Sequence, residues 1–224
     1  MNYTLSGTIF LIGFFVGVCV YAQTEVPDYF EGALNFSVEF AGPQAEELKM
    51  NEPNNKIRMF IKNNNYIVQL SGGRYPKTFI FVADSNYEYS INYSEKKAYR
   101  FSMYSDRTKD KKEEAIPTAK PTGKQKEIKG VLCDEYKMVT KNTVFYYYVN
   151  DKYRVDIANY PMKPRSKASW LAKGLDGRIP LETIKKQKNL SVKTSLISLK
   201  SRSFDPEQFM IPPTFKVKGR DYRY

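Results

Sequence analysis

Five carboxylates stand in stretches that alternate like β-strands: Glu39, Glu88, Asp134, Glu135 and Asp156. Two carboxyl groups held close together could serve as acid and base, or acid and nucleophile, on a glycosidic bond. Alternation places most of the five on polar faces, where solvation accounts for them. The chain contains no histidine, which excludes Ser-His-Asp and Cys-His catalysis and removes the commonest zinc ligand. Cys133 has only Cys19 as a companion, and a lone thiol in a strand reads as a small buried apolar group. No phosphate-binding loop or dinucleotide fingerprint occurs. The residue types point away from an enzyme and imply neither cofactor nor metal; a hydrolase working through carboxylates alone stays open as a third reading.

Binding chemistry is better represented. The formal net charge is +12 over 224 residues, and it is uneven. Residues 151–200 hold 12 basic and 4 acidic side chains, whereas residues 23–150 hold 19 and 17. Lys163, Arg165, Lys167, Lys173, Lys185, Lys186 and Lys188 form a candidate patch for an anionic partner: lipid headgroups, an acidic polymer or an acidic protein. A solvated basic surface is the plainer alternative. Aromatic side chains supply the other candidates. With 18 Tyr and 14 Phe against one Trp, the chain is rich in rings that suit half-wet sheet faces. Tyr87, Tyr89, Ile91, Tyr146 and Tyr148 are placed as lining an interior cavity, with Trp170 on a lid.

These residues need a scaffold, and period-two alternation supplies one. Asn35–Phe40, Lys56–Lys62, Tyr66–Leu70, Thr78–Val82, Tyr87–Tyr93 and Lys97–Met103 follow one another with short turns, which requires an antiparallel meander. Asn63-Asn64-Asn65 reads as a tight hairpin turn. A charged stretch without apolar period, containing Pro117 and Pro121, is expected to be a mobile loop over 105–126. Strands are then expected at Glu127–Val139 (bent near Gly130), Thr143–Val149, Tyr153–Ile157, Arg178–Lys186 and Leu190–Ser203, with Asn150-Asp151 as a turn. Val144–Val149 is apolar or aromatic at every position, so both of its faces should be covered. Pro43–Met50 and Ser166–Lys173 are the helix candidates. The fold class is mainly β: a single curved antiparallel sheet of about eleven strands with two or three short helices.

Residues 1–22 carry no charged side chain, run apolar from Thr8 to Val20 and end at Ala22 before a polar stretch. That layout is a cleavable signal peptide followed by one domain, 23–224, exported to the periplasm or envelope. A retained N-terminal membrane anchor, or acylation at Cys19, are the alternatives. Export argues against nucleic acid as the partner of the basic charge.

The stretch Lys126–Tyr136 (KEIKGVLCDEY) resembles a K-x-I-x-G-x-x-C-x-x-Y strand pair found in exported bacterial proteins of unassigned function. The ending Phe204–Phe215, with Phe209, Pro212 and Phe215, is similar to their closing element. Such proteins resemble the LolA/LolB-type periplasmic lipoprotein carriers. The resemblance implies an unclosed half-barrel with short helices over an apolar cavity that takes acyl chains. It departs at the start, where the mature chain leaves no room for the carriers' long opening helix. The expectation is a non-enzymatic envelope binding protein for a lipid or acylated ligand, with the basic patch meeting an anionic membrane surface. The alternative is a surface interaction module with a filled core that docks an anionic protein or polysaccharide. Oligomeric state is not legible.

Overall fold

The computed structural model describes residues 29–85, 87–102, 117–156 and 174–219. Strand β1 (Gly32–Ala41) leads through a turn into helix α1 (Ala45–Met50). The meander follows as β2 (Lys56–Lys62), β3 (Asn65–Ser71), β4 (Lys77–Val82), β5 (Tyr87–Asn92) and β6 (Lys97–Ser102). Each of these pairs antiparallel with the next. The β2–β3 turn uses Asn63 and Asn64 at φ 44° and 66°, the left-handed conformation that asparagine tolerates best after glycine.

The second half contributes β7 (Lys120–Ile128), β8 (Val131–Val139), β9 (Val144–Arg154), β10 (Arg178–Lys186) and β11 (Ser191–Ser201). The last of these returns to pair antiparallel with β1, which also pairs with β2. The two halves thus join at β1 in one unclosed sheet of twelve strands among the described residues. Its order is β12-β6-β5-β4-β3-β2-β1-β11-β10-β9-β8-β7. The twelfth strand, β12 (Lys216–Gly219), is an addition to the eleven expected, and it runs parallel to β6. Its direction follows from its approach. After β11 the chain crosses one face of the meander through a 3-10 turn at Pro206–Phe209, burying Phe204 and Phe209, and reaches the β6 edge from the far side.

Four further expectations change. Residues 120–126, expected within a mobile loop, are strand, and Ala119 just before them is buried; residues 105–116 lie outside the described residues. β7 has no apolar period because it is an edge strand whose side chains from Lys120 to Glu127 are all exposed. Backbone pairing with β8 holds it, and the bend expected near Gly130 is instead the Lys129-Gly130 hairpin turn, both residues at positive φ. Asn150-Asp151 does not end a strand either. β9 runs through it, the Asn150 side chain accepting the Lys152 N–H at 2.9 Å, while the register against β10 shifts on both sides of Pro180. Proline has no N–H to give the ladder, so a bulge falls there. Helix α1 is shorter than expected, with Pro43 in the turn before it; Ser166–Lys173 lies outside the described residues.

β10 and β11 pair only over Glu182–Lys186 and Ser191–Ser195. Beyond that span the main core gathers Ile179 and Leu181 from one strand and Leu196 from the other, together with Leu34, Tyr66 and Phe81 from the meander half. A single cluster therefore ties the two halves of the sheet together. No helix among the described residues is long and apolar enough to cross a membrane.

Candidate ligand-binding face

Paired residues on neighbouring strands stand on the same face, and successive residues of one strand alternate. Across β1, β11, β10, β9 and β8 this builds a continuous row: Phe40, Val192, Lys185, Phe145, Met138. A second row on that face, two residues along, is Val38, Thr194, Thr183, Tyr147, Tyr136. At the usual strand spacing of ~4.8 Å, five strands span about 19 Å. All ten side chains except Tyr147 are only half-buried. Phe145 and Tyr147 stack with planes 3° apart and centroids at 5.9 Å, and Ala119 and Leu175 pack over Tyr147. At the β1 end the rows run into a cleft of about 450 Å³ lined by Val38, Phe40, Lys49, Pro53, Asn55 and Gly72, with Glu39 and Glu52 completing it. The result is a largely apolar track, crossed at β10 by the Lys185 amine and the Thr183 hydroxyl.

The opposite face of the same strands is charged. Its rows read Glu39, Lys193, Ile184, Tyr146, Lys137 and Ser37, Ser195, Glu182, Tyr148, Glu135. Glu135 and Glu182 are both buried, and both are engaged. Tyr148 donates its hydroxyl to Glu135 at 2.7 Å and Thr122 donates at 2.9 Å. Glu182 meets Lys126 at 2.6 Å and Lys193 at 3.6 Å, and Ser195 donates to it at 3.3 Å. The Lys126 amine also lies 5.1 Å from the Tyr148 ring centroid. Burial pushes the Glu135 carboxyl up, but the hydrogen bonds from Tyr148 and Thr122, with Lys124 and Lys137 nearby, outweigh it and hold the group below the usual range. The Tyr148 phenol is raised by burial and by its bond to Glu135. Cys133, fully buried on the same strand, is pushed up to about 11 by burial, then by Asp134 and Glu182. This face is a satisfied polar network.

The remaining carboxylates are dispersed. Glu88 is buried on β5, where it accepts a 2.7 Å hydrogen bond from Tyr66. Asp134 accepts from Gln125 at 2.8 Å, Asp156 accepts from Asn64 at 3.4 Å, and Glu39 is exposed on β1. No group of three or more metal-ligating side chains gathers among the described residues.

The aromatic candidates fall in two places. On β5, Tyr89 and Ile91 pack in a cluster with Ile211 and Phe215 of the crossing segment, and Arg100 lies 4.6 Å from the Tyr87 ring centroid. Six strands separate β5 from β9, where Tyr146 and Tyr148 stand on the charged face. Lys137 and Lys186 approach the Tyr146 ring at 5.8 and 5.4 Å. Trp170, Lys163, Arg165, Lys167 and Lys173 lie outside the described residues. Of the rest of the patch, Lys185 sits in the apolar row, Lys186 on the opposite face and Lys188 in the β10–β11 turn. Sequence reasoning did not single out Phe40, Met138, Phe145 or Val192. The signal for them was the apolar run Val144–Val149 itself, whose odd-numbered and even-numbered rings serve different faces.

No family model matches the chain, and no curated protein matches its sequence. Among solved structures it is similar to a conserved protein from Thermus thermophilus, described as uncharacterized. The identity is 8% over 85% of this chain and 91% of that one, with a TM-score of 0.48. It is also similar to PNGF-II, at 11% identity and TM-score 0.47, over 85% of this chain but 32% of that one. A domain described as an outer membrane lipoprotein-sorting protein from Vibrio parahaemolyticus matches 80% of this chain and 89% of its own, at 7% identity and TM-score 0.23. The likeness to lipoprotein-sorting proteins is therefore a weak one of fold, and none of the three lends this chain an activity or ligand.

Proposed function

We propose that this chain is a non-enzymatic binding protein of the bacterial envelope that holds an amphiphile, a lipid or an acylated molecule, along the apolar track. The observation that carries the reading is the in-register row Phe40, Val192, Lys185, Phe145, Met138. Half-buried apolar side chains on β1, β11, β9 and β8, with Lys185 between them on β10, leave surface for a chain-like apolar ligand to cover. Lys185 offers one positive charge for an anionic headgroup, and the cleft beside α1 gives the track an end. The signal-like opening segment supports export. The engagement of Glu135 and Glu182 by their own neighbours supports binding over carboxylate catalysis, because neither is left poised for a substrate proton.

Titration with a fluorescent fatty acid tests the assignment. Val192→Glu, which sets a carboxylate in the middle of the track, should weaken binding at least about tenfold. The equivalent change on the opposite face, Ile184→Glu, should alter it far less. Equal loss in both variants, or in neither, would remove the track as the site.

A further inference from the structure

The hairpins β8–β9 and β10–β11 make one end of the sheet basic. Residues 137–146 and 184–193 contain Lys137, Lys141, Lys185, Lys186, Lys188 and Lys193, and neither an acidic residue nor an arginine. β9 pairs with β10, and Gln187 donates to the Thr143 hydroxyl at 3.3 Å, so the two turns lie side by side. The β1–α1 turn adjoins them, with the Gln44 N–H donating to the Asn189 carbonyl at 3.1 Å. A side chain at Gly42 would meet that carbonyl at 2.8 Å, so the approach is close. Lys137, Lys141, Lys186 and Lys188 are exposed, and Val139 among them is 57% exposed. The carboxylates flanking this end come from β1 and α1: Glu39, Glu47 and Glu46, the last bound to Lys49 at 2.6 Å. Lys193 leans 3.6 Å from Glu182.

We infer that this end docks on an anionic bilayer surface. Lysines on long stems are point charges suited to a diffuse layer of headgroups, whereas a shaped acidic partner is met more often by the planar fork of arginine, which neither 137–146 nor 184–193 contains. The exposed Val139 gives the same end an apolar contact for the interfacial region. The apolar row ends one residue short of these turns, since Val139 pairs with Val144 and Met138 with Phe145. Docking would therefore bring the track to the membrane, the point at which an amphiphile enters or leaves. That consequence rests on the proposed function; the docking itself does not.

The test is sedimentation of the envelope-purified protein with vesicles of phosphatidylcholine alone or mixed with phosphatidylglycerol, across a salt series. Binding should require the anionic lipid and fall with salt. Lys141→Glu with Lys188→Glu should weaken it at least about tenfold, while Lys216→Glu with Lys218→Glu on β12 should not. Both double variants should still bind a soluble lysophospholipid, which shows that a lost vesicle signal is lost docking and not a lost track. Equal binding to neutral vesicles, an unchanged turn variant, or preference for an immobilised acidic polysaccharide or protein would overturn the inference. Failure of the wild type to bind lysophospholipid while it still sediments with anionic vesicles would strike the proposed function and leave the docking standing.

Discussion

Glu135 is held below the usual carboxylate range by donors on both sides of it: Tyr148 on β9 and Thr122 on β7. Its folded-state value is depressed. The stability it contributes is therefore present above the unfolded value, near ~4.3, and is lost as pH falls through the folded one. Tyr148→Phe removes the stronger donor, so it should cost about 1–2 kcal/mol at neutral pH and flatten the acid limb of a denaturation curve. An unchanged acid limb would mean that the network does not hold the charge. Cys133 behaves in the opposite sense. Its folded value is raised to about 11 against an unfolded value near ~8.5, so the stability tied to its buried thiol is complete below ~8.5 and lost as pH rises towards the folded value. A thiol reagent should label it only as fast as the protein unfolds; immediate labelling of the native protein would contradict its burial. The residue scale is also where sequence reasoning lost its phase. In Val144–Val149 both faces are apolar or aromatic, so the unbroken run identified the strand without telling Phe145 from Tyr146. Only pairing to β8 and β10 assigns the first to the apolar row and the second to the lysines.

At the scale of elements, the meander was legible because most of its strands alternate apolar and polar residues, and β4, covered on both faces, is a short apolar run between turns. The Asn63-Asn64 turn was legible because few residues other than glycine accept left-handed backbone. β7 was not, since an edge strand with no packed face looks like loop in composition. Its attachment to the sheet combines the β8 ladder with side-chain links from Thr122 to Glu135 and from Lys126 to Glu182. Lys126→Ala with Thr122→Val should speed amide exchange selectively over 120–128 and leave the amides of β3 protected, as expected for a locally opening edge. Uniform acceleration throughout the sheet would mean instead that this corner supports the whole fold. The β10–β11 separation past Pro180 was likewise hidden. A proline in an apolar strand signals a break in the ladder, but not that core side chains from the two strands would meet beyond it.

For the whole molecule, the unclosed twelve-stranded sheet serves two environments at once. On one side of β1, the meander is closed over by the 202–215 crossing, whose Phe204 and Phe209 are buried. On the other side, β11 to β8 keep an apolar row half-buried and place a satisfied charge network behind it. That asymmetry is the basis of the proposed function: one half is finished as core, and the other presents a track that a ligand can complete. Fold class was accessible from periodicity and aromatic content. The track was not, because it is a property of register across five strands that are distant in sequence. The most direct test is native mass spectrometry of the protein purified from an envelope extract without detergent. A co-purifying lipid or acylated species is expected, displaced by added fatty acid and absent from the Val192→Glu variant. Bare protein that also yields no fatty material on organic extraction, and takes none up when it is offered, would contradict the proposed function.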